Sequence, residues 1–128
     1  MALQSAYDEE FDIMEKTGIL TRIDSSEWGT TVVPVLKPSG KIRICGDFKS
    51  TINKFLVEVK HPLPRIEELF SKLQGWEVFS KLDFSRGYNQ FELDVESRKF
   101  VALSTHRSIY LCNRMPFGIS PASSIFQR

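Results

Sequence analysis

An aspartate followed closely by a glycine and an aromatic residue is the strongest chemical signal in this sequence. Asp83 closes an apolar run, and Gly87 and Tyr88 follow within five positions. A carboxylate at a strand end can hold Mg²⁺, which prefers oxygen ligands and often combines one or two carboxylates with substrate phosphates. Taken alone, an aspartate in this position is more often a turn or helix-cap residue.

Basic and aromatic residues elsewhere in the chain strengthen the chemical interpretation. Lys41 and Arg43 share one face of a predicted strand, and arginine binds phosphate through two parallel N–H groups. Tyr88 offers a ring that can pack on a sugar or base, and Phe117 stands beside Gly118, whose backbone a ligand can approach closely. Each residue also has an ordinary structural explanation, so only the combination predicts a nucleotide site.

Length, composition and charge limit the possible fold and function but do not identify them. The 128 residues, 41% of them hydrophobic, are enough for one compact domain with a real core. The net charge of +1 gives no overall nucleic-acid signal. Residues 1–30 contain seven acids and two bases, whereas residues 31–60 contain six bases and two acids. A local basic patch and ordinary solvated lysines explain that distribution equally well.

The sequence contains no pattern for a disulfide framework, a metal cluster or a membrane span. Cys45 and Cys112 lie far apart and lack zinc-site spacing. His61 and His106 have no cysteine or histidine nearby. No apolar run approaches the roughly 20 residues of a membrane helix. We therefore expect a non-secreted, intracellular chain with reduced cysteines.

Periodicity predicts an α+β fold with mostly antiparallel pairing. The helix over residues 66–73 should pack on a sheet, since its apolar residues recur at i, i+3, i+4 and i+7. Pro34 marks the first strand as an edge or a bulge. The predicted elements are a helix at 5–16, strands at 30–36 and 41–47, a helix at 66–73, a strand at 77–84, a turn at 85–90, a hairpin of 99–105 with 109–113, and a helix capped by Ser120 with Pro121 in its first turn.

Five ordered runs in this sequence together resemble the reverse transcriptases of retroviruses and gypsy-type long-terminal-repeat retrotransposons. The runs are residues 26–30, 37–48, 61–66, 79–90 and 115–127. The resemblance begins near residue 8. It implies the fingers and partial palm of a right-hand polymerase, truncated before the third catalytic motif. Residues 1–80 would be mainly fingers and the fingers–palm connection, and residues 81–128 the start of the palm.

The resemblance also implies roles for individual residues. Asp83 matches the first of three catalytic aspartates, and the Phe84 carbonyl matches a second ligand to Mg²⁺, with Mn²⁺ as the alternative ion. Tyr88 matches the steric gate that lies where a ribose 2′-hydroxyl would project. The remaining matches are contacts to the incoming nucleotide, and they are Arg43, Lys41, Lys37, Arg86, Gly87, Phe117 and Gly118.

Two departures from the family pattern shape the expected activity. Pro121-Ala122-Ser123 stands where the family usually has Asn-Ala-Pro, and the Tyr-x-Asp-Asp block with the other two catalytic aspartates does not occur. We therefore expect a piece of a longer gene product that does not polymerise DNA by itself, because a two-metal site needs several anionic ligands.

The expected partners are an RNA or DNA template with its primer, deoxynucleoside triphosphates and the remainder of the Pol polyprotein. The expected location is the cytoplasm or a virus-like particle, with the nucleus as an alternative. Two other interpretations stay open, a non-catalytic nucleic-acid-binding remnant and a structural remnant without activity. A protein kinase is excluded, because Asp83-Phe84 is followed by Ser85 and not by the glycine of the kinase motif.

Overall fold

A computed structural model describes residues 2–58 and 60–128 and shows an α+β fold around one five-stranded sheet. The sheet order is β1-β5-β4-β2-β3. The elements are helices α1 (Ala2–Lys16), α2 (Ile66–Leu73) and α3 (Ala122–Gln127), and strands β1 (Leu20–Ile23), β2 (Thr30–Leu36), β3 (Ile42–Gly46), β4 (Leu103–Ser104) and β5 (Ile109–Cys112). Within the described residues, no helix has the length and apolarity needed to cross a bilayer.

Strands β2 and β3 form the hairpin that the sequence predicts, with Val32 opposite Gly46 and Leu36 opposite Ile42. Pro34 fits within β2 although it has no N–H to donate to a neighbouring strand. The Lys37 N–H donates to Lys41 across the hairpin, and backbone groups alternate sides along a strand, so the nitrogen of Pro34 faces away from β3. On that side β2 pairs with β4 only at Thr30 and Thr31.

The core lies between α1 and the sheet. Phe11 of α1 is fully buried and stacks on Tyr110 of β5, with ring centroids 5.2 Å apart. Ile42 and Ile44 of β3 are buried, which confirms the predicted alternation and leaves Arg43 and Cys45 on the opposite face. The position of Arg43 is therefore a consequence of burying its two isoleucine neighbours.

The predicted strand at 77–84 is wrong, because the described residues give it no neighbouring strand to pair with. A strand leaves its backbone donors and acceptors unpaired until a partner supplies the ladder. The helix at 66–73 is confirmed as α2, but its packing on a sheet is not. Its apolar stripe is exposed, including Phe70 at 66%.

Smaller differences concern element ends and one missed strand. Helix α1 begins at Ala2, three residues before the predicted start. Residues 98–101 form a 3₁₀ turn, so β4 is much shorter than the predicted strand at 99–105. Pro121 occupies the cap position of α3, and no side chain caps this helix, so the predicted role of Ser120 is wrong. Strand β1 was missed because four residues show too little periodicity.

Candidate functional site

A cleft of about 440 Å³ lies between α1, the β2–β3 hairpin and the turn that follows Asp83. Eight of the ten residues that the sequence assigns to a site line this cleft, and only Tyr88 and Gly118 do not. Six lining residues carry charge, and they are Glu10, Lys37, Lys41, Arg43, Asp83 and Arg86. With four cations and two carboxylates, the cleft favours anionic ligands.

The Arg43 guanidinium is held over an aromatic ring at the cleft wall. Its Cζ atom lies 4.6 Å from the centroid of the Phe117 ring, a separation at which the ring quadrupole attracts the cation. Within the described residues, Arg43 Nε is the one buried side-chain nitrogen or oxygen with no hydrogen-bond partner. The stacking holds the guanidinium at the cleft wall, while its Nε donor is buried without a partner.

Asp83 and Phe84 form the opposite side of the cleft on an exposed, extended segment. In the part of the chain that the structure describes, no three His, Cys, Asp or Glu side chains are grouped as a metal site. Asp83 and Glu10 are the two carboxylates of the cleft, and Glu10 is engaged by Arg86. The donor set of this chain therefore does not complete a divalent-cation site by itself.

A tight turn carries Arg86 and Gly87 into the cleft. Arg86 has a φ of 50°, the one positive value among the described non-glycine residues, and Gly87–Gln90 form a 3₁₀ turn. The Gln90 side-chain amide donates to the Ser85 carbonyl at 2.9 Å, and the buried Asn89 amide donates to the Met115 carbonyl at 3.1 Å. These bonds hold the backbone of the turn against the rest of the site.

Tyr88 reaches the site through its aromatic contacts. Its ring centroid lies 5.0 Å from that of Phe117 at a tilt of 48°, and 5.9 Å from that of Phe126 in α3. Such tilted and edge-on pairs are favourable arrangements for aromatic rings. Tyr88 is thus positioned beside the ring on which Arg43 stacks.

Phe117 and Gly118 are fixed to the end of β3 by backbone bonds. Phe117 forms a parallel bridge with Cys45, and its carbonyl accepts a hydrogen bond of 3.1 Å from the Gly46 N–H. Gly118 has a φ of 107°, and a Cβ there would overlap the Gly46 carbonyl oxygen. Glycine is therefore required at 118 both for its conformation and for this close approach.

Two residues of the site were missed from the sequence. Asn53 donates from Nδ2 to the Gly118 carbonyl at 2.8 Å and accepts from the Ser120 N–H at 2.9 Å, so it ties the loop before α3 to the 3₁₀ turn Ile52–Phe55. Glu10 lines the cleft from α1. Both residues contact partners that are far away in the sequence, so no local sequence pattern could reveal these contacts.

Cys45 lies near the cleft but is not suited to nucleophilic chemistry. Burial raises the pKa of the Cys45 thiol, and the nearby Arg43 offsets only part of that effect. The thiol is therefore neutral near pH 7, and the thiolate is the reactive form.

A right-hand polymerase is the class that this fold and cleft indicate, and comparison with known proteins identifies the family. The model of the family "Reverse transcriptase (RNA-dependent DNA polymerase)" matches residues 35–128. The chain belongs to this family. An uncharacterized protein of Caenorhabditis elegans is 39% identical over 125 residues, covering 96% of this chain and 10% of that protein.

A second relative and a solved structure agree with this assignment. The retrovirus-related Pol polyprotein from transposon 297 of Drosophila melanogaster is 31% identical, covering 82% of this chain and 10% of the polyprotein. A foamy viral protease-reverse transcriptase in complex with double-stranded DNA matches the fold with a TM-score of 0.78 at 21% identity, covering 95% of this chain and 21% of that one. The chain thus spans about a tenth of the length of these curated relatives.

Proposed function

We propose that the cleft binds the triphosphate of an incoming deoxynucleotide during template-directed DNA synthesis by a longer Pol polypeptide. In this proposal residues 1–80 supply mainly the fingers and residues 81–128 the start of the palm. The observation that carries it is that the basic face of β3 and the carboxylate of Asp83 line one cleft. Cations on one wall and a carboxylate on the other suit a polyphosphate that arrives with a divalent cation.

The phosphate-binding role falls to the fingers side of the cleft. Arg43, held by Phe117, would bind the phosphates with pre-set geometry, so little side-chain entropy is lost on binding. Lys41 and Lys37 lie on or beside the same hairpin and add positive charge. Gly87 lines the same cleft and would place its backbone beside the phosphates.

The metal-binding role falls to Asp83 and the carbonyl of Phe84. Mg²⁺, or Mn²⁺ in its place, would bring the Lewis acidity that nucleotidyl transfer requires. Because the donors of this chain do not complete a metal site, we propose that phosphate oxygens and further carboxylates of the longer polypeptide supply the rest.

Tyr88, Phe117 and Gly118 would shape the sugar and base end of the site. A Tyr88 ring held between Phe117 and Phe126 has little freedom to move away from a ribose 2′-hydroxyl. Primer and template strands would lie beyond this end. The foamy viral structure described above contains double-stranded DNA, which supports a nucleic-acid duplex as the partner.

Nucleotide binding by the 128-residue chain tests the proposal. We expect a deoxynucleoside triphosphate to bind measurably by titration calorimetry, and Arg43→Ala to weaken binding by about tenfold or more, because charged hydrogen bonds are worth about 1.5–3 kcal/mol. Lys41→Ala should weaken binding severalfold. Lys49→Ala is the matched control, since Lys49 is also exposed but does not line the cleft. Equal effects of Lys41→Ala and Lys49→Ala would contradict the assignment.

Primer extension tests the division of labour between this chain and the longer polypeptide. With Mg²⁺, deoxynucleotides and a primed template, we expect no extension by the 128-residue chain. Of the two cleft carboxylates, Glu10 is paired with Arg86, so Asp83 alone is left to anchor cations, and a two-metal site needs several anionic ligands. Extension that disappears in Asp83→Asn would show that these residues suffice and would overturn this part of the proposal.

A further inference from the structure

Glu10 places a carboxylate inside a cleft whose other features favour anions. Its Oε1 atom lies 2.7 Å from Nη1 of Arg86, and its side chain is only 16% exposed. In the described part of the chain, Arg86 is the one cleft cation that forms an ion pair, since Lys37, Lys41 and Arg43 form none. The polyphosphate cleft therefore contains a cation that is already neutralised by a neighbouring helix.

The ion pair between Glu10 and Arg86 leaves part of the Arg86 guanidinium open to a ligand. Arg86 sits at the positive φ that begins the turn, and its side chain is 36% exposed at the cleft. A guanidinium has five N–H donors, so a phosphate could approach the groups that Glu10 leaves free. That phosphate would then stand close to the Glu10 carboxylate, and like charges at short range repel each other.

We propose that Glu10 acts as an internal competitor of phosphate, and that a polyphosphate binds this cleft by displacing the Glu10 carboxylate from Arg86. This inference rests on the proposed function of the cleft. Helix α1 lies outside residues 35–128 that match the family model, so this competitor is supplied by a segment beyond the matched region. The contact weakens nucleotide binding and makes it depend on the position of α1.

Binding of sodium tripolyphosphate to the 128-residue chain tests the competition. At a low salt concentration of about 50 mM, where surface charges are weakly screened, we expect Glu10→Gln to tighten binding about fivefold, the effect of an interaction worth about 1 kcal/mol. Glu9→Gln is the matched control, because it removes the same charge from an exposed neighbour that does not line the cleft. It should change the affinity by less than about twofold.

Arg86→Gln gives the second arm of the experiment. We expect it to weaken tripolyphosphate binding, since it removes a cation and leaves the Glu10 carboxylate unpaired. In the Arg86→Gln background, the Glu10 carboxylate has no guanidinium from which it could be displaced. Adding Glu10→Gln should then tighten binding only by the amount expected for removing an unpaired negative charge. A thermal-unfolding scan of each variant confirms that the fold is kept. The carboxyl ¹³C resonance of Glu10 in the unmodified chain should also shift as tripolyphosphate saturates it, because displacement changes the surroundings of that carboxylate.

The possible results separate this inference from the function beneath it. If the unmodified chain binds tripolyphosphate, but Glu10→Gln binds no more tightly than Glu9→Gln, or binds more weakly, Glu10 is not a competitor and this inference alone fails. An unchanged Glu10 resonance on saturation would likewise rule out the displacement. If neither the unmodified chain nor Glu10→Gln binds tripolyphosphate, the cleft is not a polyphosphate site and both proposals fall.

Discussion

Two regions of this chain carry apolar patterns, yet in only one of them are the apolar side chains buried. Around the sheet, Phe11, Leu20, Leu103 and Tyr110 are almost completely buried. Between residues 61 and 84 every residue is exposed, including Trp76 at 70% and Leu82 at 87%. The contrast shows that an amphipathic pattern identifies an apolar surface. The pattern does not show that the described residues themselves bury that surface.

The difference matters for the site because its two walls stand on different supports. Arg43 and Phe117 lie on or against β3, whose backbone bonds and buried isoleucines fix their position. Asp83 lies at the end of the exposed region, and among the described residues no strand ladder or core contact holds its side chain. The wall that carries Arg43 is thus preformed, while the wall that carries Asp83 has no comparable support among the described residues.

Truncating one aromatic residue in each region should give the largest difference. Phe11→Ala removes a fully buried ring stacked on Tyr110 and should lower the free energy of unfolding by about 3–5 kcal/mol. Phe70→Ala changes an exposed ring on α2 and should stay within about 0.5 kcal/mol. Urea unfolding of the chain followed by circular dichroism measures both. A comparable loss in the two variants would mean that α2 is packed in solution.

A pair of glycines tests how tightly the closed region holds the site. Gly118→Ala should destabilise the fold by about 2–4 kcal/mol, because the new Cβ would meet both a positive φ and the Gly46 carbonyl. Gly40 also has a positive φ, but no atom lies within 4 Å of the position of its Cβ. Gly40→Ala should therefore cost only about 1 kcal/mol. Equal shifts in the thermal midpoint would show that the contact with β3 is relaxed in solution.

Alkaline pH should weaken the closed region through Cys112. Burial raises the pKa of this thiol to about 12 from its usual 9.0, so between those values the unfolded chain loses a proton that the folded chain keeps. The resulting stability is complete below pH 9 and is lost as the pH rises toward 12, at about 1.4 kcal/mol per unit. Urea unfolding at pH 8 and pH 10 should show a smaller decline in Cys112→Ala, and an identical decline would contradict this assignment.

Much of the fold follows from local patterns that the sequence displays. The β-branched run at 30–36, the turn at Pro38-Ser39-Gly40 and the alternation of β3 predict the hairpin, and the resemblance predicts an α+β polymerase fold that the comparisons confirm. The predicted strand at 77–84 failed because a strand is a property of two segments, and the sequence of one segment does not disclose whether its partner is present.

Some residues of the candidate site can be recognised from the sequence, and others only from the structure. The types of Asp83, Arg43 and Phe117 are visible in the sequence, and their proposed roles stay predictions. Asn53 could not be found, since its partner Gly118 lies 65 positions away and the contact exists only after the sheet has formed. Glu10 was hidden for the same reason, because an acid on an acidic helix gives no sign that it faces a cleft.

The smallest of the expected effects compares two arginines. Arg107 connects the β4–β5 turn to α1 through Asp12, with Nη2 and Oδ1 2.7 Å apart, and through a 2.9 Å hydrogen bond to the Asp8 carbonyl. Because these groups are partly exposed, Arg107→Ala should lower the free energy of unfolding by only about 1 kcal/mol. Arg65, exposed before α2, is the control, and Arg65→Ala should have no measurable effect. If urea unfolding in 1 M NaCl abolishes the whole Arg107→Ala effect, the ion pairs with the Asp12 and Asp8 carboxylates carry it. If about half remains, the backbone hydrogen bond contributes as the geometry predicts, since a Debye length of about 3 Å screens exposed charges far more than a direct hydrogen bond.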